Sequence, residues 1–214
     1  CGDVGFGKTE VAIRASFVVS LEGKQVAILS PTTLLARQHY ETFKKRFSGL
    51  PINIFELSRL TKNKKEVIEN INNGNADIVI GTHALLSDKI EFKNLGLLII
   101  DEEQHFGVKH KEKLKKLKTD IHVLTLTATP IPRTMQLAMT GVKDLSIIAS
   151  PPIDRRSIET FIFKRDSIVI KEALIKEKKR GGQSFYIVPR IKDIEVIEEF
   201  IKEKIPEINY VVAH

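Results

Sequence analysis

The 214-residue sequence contains no tryptophan, a single cysteine and no long apolar run. Each absence excludes something. Cys1 alone cannot close an internal disulfide, so the fold is not a cross-linked scaffold, and a reducing, cytoplasmic setting fits. No apolar stretch approaches the ~20 residues that cross a bilayer, which argues against a transmembrane helix and against a membrane partner. The opening residues, CGDVGFGKTE, lack the basic-then-apolar layout of an export signal. Aromatic residues are only 7% of the chain, few for a surface that holds single strands by stacking bases. Of the six histidines none falls in H-E-x-x-H, and His105 and His110 would point to different faces of a helix, so no zinc site is expected. There is no serine nucleophile elbow and no cysteine pair.

What remains is enough for a folded protein. Hydrophobic residues make up 42%, which excludes a disordered or collagen-like chain. Lys and Arg outnumber Asp and Glu by 34 to 27. A basic surface of this kind permits a polyanion partner such as DNA or RNA, although solvated lysines on helix faces give the same balance.

Short β-branched runs alternate with amphipathic stretches. Gln25–Ser30, Asp77–Gly81, Leu97–Asp101 and Ile121–Thr127 read as buried parallel strands, with Ile52–Leu57 a weaker one. Helices are expected after the first glycines, with Val11, Ala15 and Val18 on one face, and over Thr33–Phe47, with Leu35, Phe43 and Phe47 inward. Two more are expected over Lys62–Asn73 and Val108–Leu117. Such alternation specifies an α/β domain with a mostly parallel sheet. Ser150-Pro151-Pro152 cannot continue a helix and opens an extended linker. A second α/β series follows: strands Ile158–Phe163, Ser184–Val188 and Ile208–Val212, and helices Ser167–Lys179 and Lys192–Lys204. The expected division is therefore 1–149, linker 150–157, and 158–214.

The chemistry lies at the start. Gly2-Asp3-Val4-Gly5-Phe6-Gly7-Lys8-Thr9 fits G-x-x-x-x-G-K-[ST], the P-loop. Its glycines let backbone N–H groups approach phosphate oxygens, and the helix that follows adds its positive end. Lys8 is expected to neutralise the β- and γ-phosphates of ATP and the Thr9 hydroxyl to ligate Mg²⁺. Leu97-Leu98-Ile99-Ile100 then runs into Asp101-Glu102-Glu103-Gln104, the layout of a Walker B strand. There Asp101 holds Mg²⁺ and Glu102 orients or deprotonates the attacking water. Acidic residues at a helix start after a strand would look the same. Third comes Thr127-Ala128-Thr129-Pro130, whose Thr127 and Thr129 hydroxyls can relay the state of the γ-phosphate to a neighbouring surface; an ordinary turn before Pro130 is the other reading.

A P-loop, then DEEQ, then TATP is the order found in superfamily 2 helicases and translocases. In detail GDVGFGKTEVAIRASF, PTTLLARQHYETFKKRF, IGTHALL, LLIIDEEQHFGVKHKEKLK and LTLTATPIPRTMQLAMTG resemble the bacterial transcription-repair coupling factor family, with the RecG branch-migration helicase the nearest relative. Glu10, the doubled acid Glu102-Glu103 and Lys109-His110-Lys111-Glu112 favour the coupling-factor side, and Ser58-Arg59 falls where that family has a similar Leu-Ser-Arg. Gln104-His105 departs from the His-Arg more usual there.

The resemblance implies a RecA-like P-loop NTPase lobe followed by a linker and the first half of a second RecA-like lobe. It implies an ATP-driven motor that walks on double-stranded DNA, displaces stalled RNA polymerase and recruits an excision-repair damage-recognition protein, the last two through domains outside this chain. Thr32, Thr33, Arg37, Thr82, His83, Arg133 and Thr134 would face DNA, as hydroxyls and cations that grip phosphates without reading sequence. Phe106 reads as core. Measured against that family, the chain lacks the strand before the P-loop and the later motifs that carry arginine fingers. Weak or absent turnover is expected of the chain alone. A RecG-like remodeller of forks and junctions, and a nucleotide-responsive DNA-binding module without turnover, are the competing readings.

Overall fold

The computed structural model describes residues 1–102, 106, 121–128, 144–153 and 158–214. Two compact units divide the chain, Cys1–Arg155 and Arg156–His214.

In the first unit α1 (Lys8–Leu21) precedes β1 (Gln25–Leu29), α2 (Thr33–Arg46), β2 (Ile54–Leu57), α3 (Lys64–Asn72), β3 (Ile78–Gly81), a 3₁₀ turn over His83–Leu86, β4 (Leu95–Asp101) and β5 (His122–Leu126). The strands form one parallel sheet in the order β2-β3-β1-β4-β5. β1 and β3 are buried at every position, because helices cover both faces. One side packs Val26, Ile28, Ile78, Ile80, Leu97 and Ile99 against Ala12, Ile13, Phe43 and Phe47. The other packs Ala27, Leu29, Val79, Leu98 and Ile100 against Val67, Ile71, Leu85 and Phe106. Phe106 is thus a core residue, as expected.

All five expected strands of this unit form, within two residues of their expected ends. α1 departs from expectation. It buries Ala12, Ile13 and Ser16; of the expected face Ala15 packs against the core, while Val11 and Val18 face solvent. The helix is apolar on several sides, so periodicity does not single out a face; the face that packs is the one whose Ala12 and Ile13 meet Val26, Ile28 and Ile99 of the sheet. The expected helix Val108–Leu117 lies outside the described residues.

Gly81 is a glycine for lack of room. Its φ is ordinary, but a Cβ there would sit against the Leu57 carbonyl on the paired strand and 3.0 Å from Leu85 Cγ. This close approach sets the spacing of β2 and β3 at the edge where Thr82 and His83 emerge.

In the second unit, α4 (Ser167–Lys179) and α5 (Lys192–Lys204) span the expected ranges. Asp166 caps α4, its Oδ1 accepting from the N–H groups of Ile168 (2.8 Å) and Val169 (3.4 Å). The three expected strands of this unit do not form: 158–163, 184–188 and 208–212 carry no ladder hydrogen bonds, and Ile162, Phe185, Ile187 and Val211 are largely exposed. A β-branched run supplies the propensity for a strand, but a strand exists only when a neighbour pairs with its backbone. No such neighbour pairs with these segments among the described residues.

Candidate nucleotide site

In a parallel sheet every carboxyl end opens on the same edge, which is where α/β folds bind ligands. Here that edge gathers Ser30 after β1, Thr82 after β3, Asp101 and Glu102 at the end of β4, and Thr127 after β5. The P-loop joins them through its first residues. The Gly2 N–H donates to the Thr127 carbonyl (3.1 Å), Gly2 bridges in parallel to Ile148, and the Ile148 N–H donates to the Cys1 carbonyl (2.8 Å). Cys1 and Gly2 therefore lie between β5 and the 146–148 segment, and Gly2 is buried. Sequence positions 2, 101 and 127 become neighbours by topology alone.

The loop turns on its glycines and leaves a helix start uncapped by any side chain. Gly5 and Gly7 take φ of 78° and 90°, the left-handed region that glycine enters without a steric penalty. Gly7 is the N-cap of α1 and has no side chain, so the first N–H groups of that helix keep no side-chain cap. The Phe6 N–H donates to the Asp3 carbonyl (3.1 Å) and closes the turn. Asp3, Val4 and Gly5 are exposed, so the loop is open to a ligand. Lys8 folds inward, its ammonium donating to the Gly2 carbonyl (2.6 Å) and the Asp3 carbonyl (3.1 Å). Those neutral acceptors hold the cation within the loop. Glu10 looks away from it, accepting from Arg14 (2.9 Å) and from Arg46 of α2 (2.7 Å).

The two acids differ in backbone conformation. Asp101 is still in the strand. Glu102 has φ 51°, the one described non-glycine residue in the left-handed region. A residue there typically costs about 1–3 kcal/mol and persists only where its surroundings enforce it. The enforcement is visible: the Glu102 N–H donates to the Leu126 carbonyl (2.9 Å), and its Oε1 accepts from the Ala128 N–H (3.3 Å). The carboxylate is thereby tied to the backbone of the T-A-T-P segment. Thr127 Oγ1 is buried and makes no hydrogen bond among the described residues, as is Ser30 Oγ.

One contact was not foreseen. His39, in the middle of α2, places Nε2 2.9 Å from Asp101 Oδ2, with both side chains largely out of water (12% and 13% exposed). The histidine lies 62 residues from the aspartate in sequence, and nothing in its local pattern marks it.

Of the residues expected to face DNA, the described ones follow strands β1 and β3. Thr32 caps α2, its Oγ1 accepting from the Leu35 N–H (3.2 Å), and Thr33 begins the helix. Arg37 is exposed but engaged. It pairs with Glu56 (2.9 Å) and Glu41 and lies over the Tyr40 ring, and the hydrogen bond to Glu56 raises its pKa further. Thr82 is buried at the end of β3, while His83 beside it is exposed. Arg133, Thr134, Thr129, Gln104 and His105 lie outside the described residues.

The sheet order, the loop and the acid pair define a nucleotide-binding RecA-like lobe. Residues 1–138 match the DEAD/DEAH box helicase family, and the chain belongs to it, within the helicase and ATPase superfamily. Over its whole length it is similar to the transcription-repair-coupling factors of Haemophilus influenzae (53% identical), Bacillus subtilis (53%) and Escherichia coli (49%), each over 216 residues. The resemblance read from the motifs is thus borne out. The match covers 19%, 18% and 19% of those proteins, so the chain spans about a fifth of the length of the curated relatives. Among solved structures it is similar to RecG bound to a three-way DNA junction (36% identical, TM-score 0.76), covering 94% of this chain and 27% of that one. It shares the fold of S. cerevisiae Dbp5 bound to RNA and ADP BeF3 (17% identical, TM-score 0.66, 95% and 56% covered). Among the described residues no helix is long and apolar enough to cross a membrane.

Proposed function

We propose that this chain is the nucleotide-binding segment of an ATP-driven translocase on double-stranded DNA, one that displaces stalled RNA polymerase and couples transcription to excision repair. The observation that carries the motor part is the convergence of the P-loop, Asp101, Glu102 and Thr127 on one sheet edge. The coupling part is supported by similarity to transcription-repair-coupling factors along the whole chain.

In this reading the loop from Gly2 to Gly7 wraps the phosphates with backbone N–H groups, and Lys8 exchanges two carbonyls for phosphate oxygens. Thr9 and Asp101 supply a hydroxyl and a carboxylate, the hard oxygen donors that suit Mg²⁺. Bound there, Mg²⁺ would offset charge on the phosphates. Glu102 accepts the proton of the attacking water or orients it, from a backbone conformation that aims its carboxylate and ties it to Ala128. A change at the γ-phosphate would shift Glu102, and with it the segment of Thr127 and Thr129.

Thr32, Thr33, Arg37, Thr82, His83, Arg133 and Thr134 are read as the DNA side. Arg37 would trade its carboxylate partners for phosphate. The units 1–149 and 158–214, joined by 150–157, are read as a first lobe, a linker and the beginning of a second lobe.

RecG, with 36% identity and a bound three-way junction, keeps a second reading in play: remodelling of forks and junctions. The test is displacement of stalled RNA polymerase from duplex DNA by the full-length protein carrying this chain, as wild type and Glu102→Gln. ATP-dependent displacement that the variant loses supports coupling. ATPase stimulated by forked or four-way DNA, without displacement, moves the assignment to the remodeller. DNA binding that responds to nucleotide without turnover reduces it to a binding module.

A further inference from the structure

The His39–Asp101 contact has no place in the reading above, and it joins elements that the P-loop, Walker B and T-A-T-P motifs do not join. His39 is on α2, whose inner face buries Ala36 and Phe43 and which ends on the buried Phe47. The imidazole therefore arrives on a packed support. Its partner is the last residue of β4, the strand at whose end the two acids emerge. A carboxylate that meets a cation can rotate about its χ torsions and offer either oxygen. A neighbour that occupies one oxygen removes that freedom, and such supporting groups typically contribute 10–100-fold to metal affinity.

We propose that His39 is a positioning residue for Asp101: its ring N–H holds Oδ2, so the carboxylate presents its remaining oxygen to a nucleotide-bound divalent cation in one orientation. This rests on the reading of Asp101 as the carboxylate on the metal side. The other account of the contact is a tether that only fastens α2 to the sheet. The two differ in what they predict for nucleotide binding without metal. A tether supports the whole site and would weaken both conditions alike, whereas a positioning residue acts only when the cation is present.

The experiment measures binding of a fluorescent ATP analogue to the 214-residue chain, in EDTA and across a Mg²⁺ titration repeated with Mn²⁺. The variants are His39→Phe, which fills the space without a hydrogen bond, His39→Gln, which restores a donor near the Nε2 position, and Asp101→Asn. Expected for His39→Phe is a half-saturating metal concentration raised at least about tenfold, with EDTA affinity unchanged. His39→Gln should stay within about threefold of wild type. An unchanged metal dependence in His39→Phe, with a raised one in Asp101→Asn, overturns the positioning role and leaves the Asp101 assignment standing. A parallel loss in EDTA and in metal overturns it in favour of the tether. Wild-type metal dependence in Asp101→Asn overturns the underlying assignment itself.

Discussion

Replacing Gly81 by alanine tests the claim that steric room at the end of β3, and not glycine's conformational freedom, holds this edge of the sheet together. The added Cβ falls well inside 3.0 Å of the Leu57 carbonyl, and also lies 3.0 Å from Leu85 Cγ and 3.1 Å from the Leu57 carbonyl carbon. Backbone cannot swing aside as a side-chain tip can, so β2 and β3 must separate by about 1 Å at this rung. Overpacking of that kind costs about 1–3 kcal/mol, and this site belongs at the upper end because the clash is with main chain on a paired strand. The separation also strains the hydrogen bond from the Thr82 N–H to the Leu57 carbonyl, worth about 1 kcal/mol net. A loss of roughly 3 kcal/mol lowers Tm by about 6–12 °C for a unit of this size. The assay is a thermal melt followed by far-ultraviolet circular dichroism, with Gly23→Ala as the comparison. Gly23 has φ 71° and open space around its Cβ position, so alanine there meets only left-handed backbone strain of about 1–2 kcal/mol. Gly81→Ala must melt clearly below Gly23→Ala. If the two melt together, or if Gly81→Ala loses less than about 2 °C, the steric account is wrong.

Other expectations follow from the same geometry. Lys8→Ala removes the cation from the loop and should weaken ATP-analogue binding at least about tenfold, because a charge-assisted contact to phosphate typically carries about 1.5–3 kcal/mol; equilibrium titration checks it. Glu102→Gln should leave nucleotide affinity within a few fold while abolishing turnover in the full-length protein, and retained hydrolysis would remove Glu102 from its role. Glu10→Gln breaks pairs whose side chains are 38–76% exposed, so its cost should stay below about 1 kcal/mol and shrink in salt; a larger loss by denaturant titration would mean that Glu10 does more than join α1 to α2. Asp166→Ala deletes the α4 cap and should destabilise that helix by about 1 kcal/mol, read as lost helical signal confined to the second unit.

What is legible in the sequence is what acts locally. β1, β3 and β4 announce themselves as apolar, β-branched runs because both of their faces are buried over most of their length. The caps of α2 and α4 and the stop of α3 are written in neighbouring residues: Thr32 before α2, Asp166 before α4 and Gly74 after α3. The P-loop is legible for the same reason: its glycines, lysine and threonine act within eight consecutive positions. The buried face of α1 is not legible, since a helix apolar on several sides carries no directional information. The runs at 158–163, 184–188 and 208–212 carry strand propensity without forming strands, because propensity belongs to a segment, whereas pairing belongs to two.

The sequence alone determined the α/β class, the parallel strands of the first unit, the phosphate loop and the acids at the end of β4. Each is a short-range pattern whose physics needs only adjacent residues. Only the tertiary structure decided which distant residues meet. It set Gly2 beside Thr127 and Ile148, forced Glu102 into a left-handed backbone held by Leu126 and Ala128, closed off any side chain at position 81, and brought His39 to Asp101. Those contacts depend on strand order and helix packing, which are set by the sum of the core and not by any one stretch of it, and so no local pattern records them.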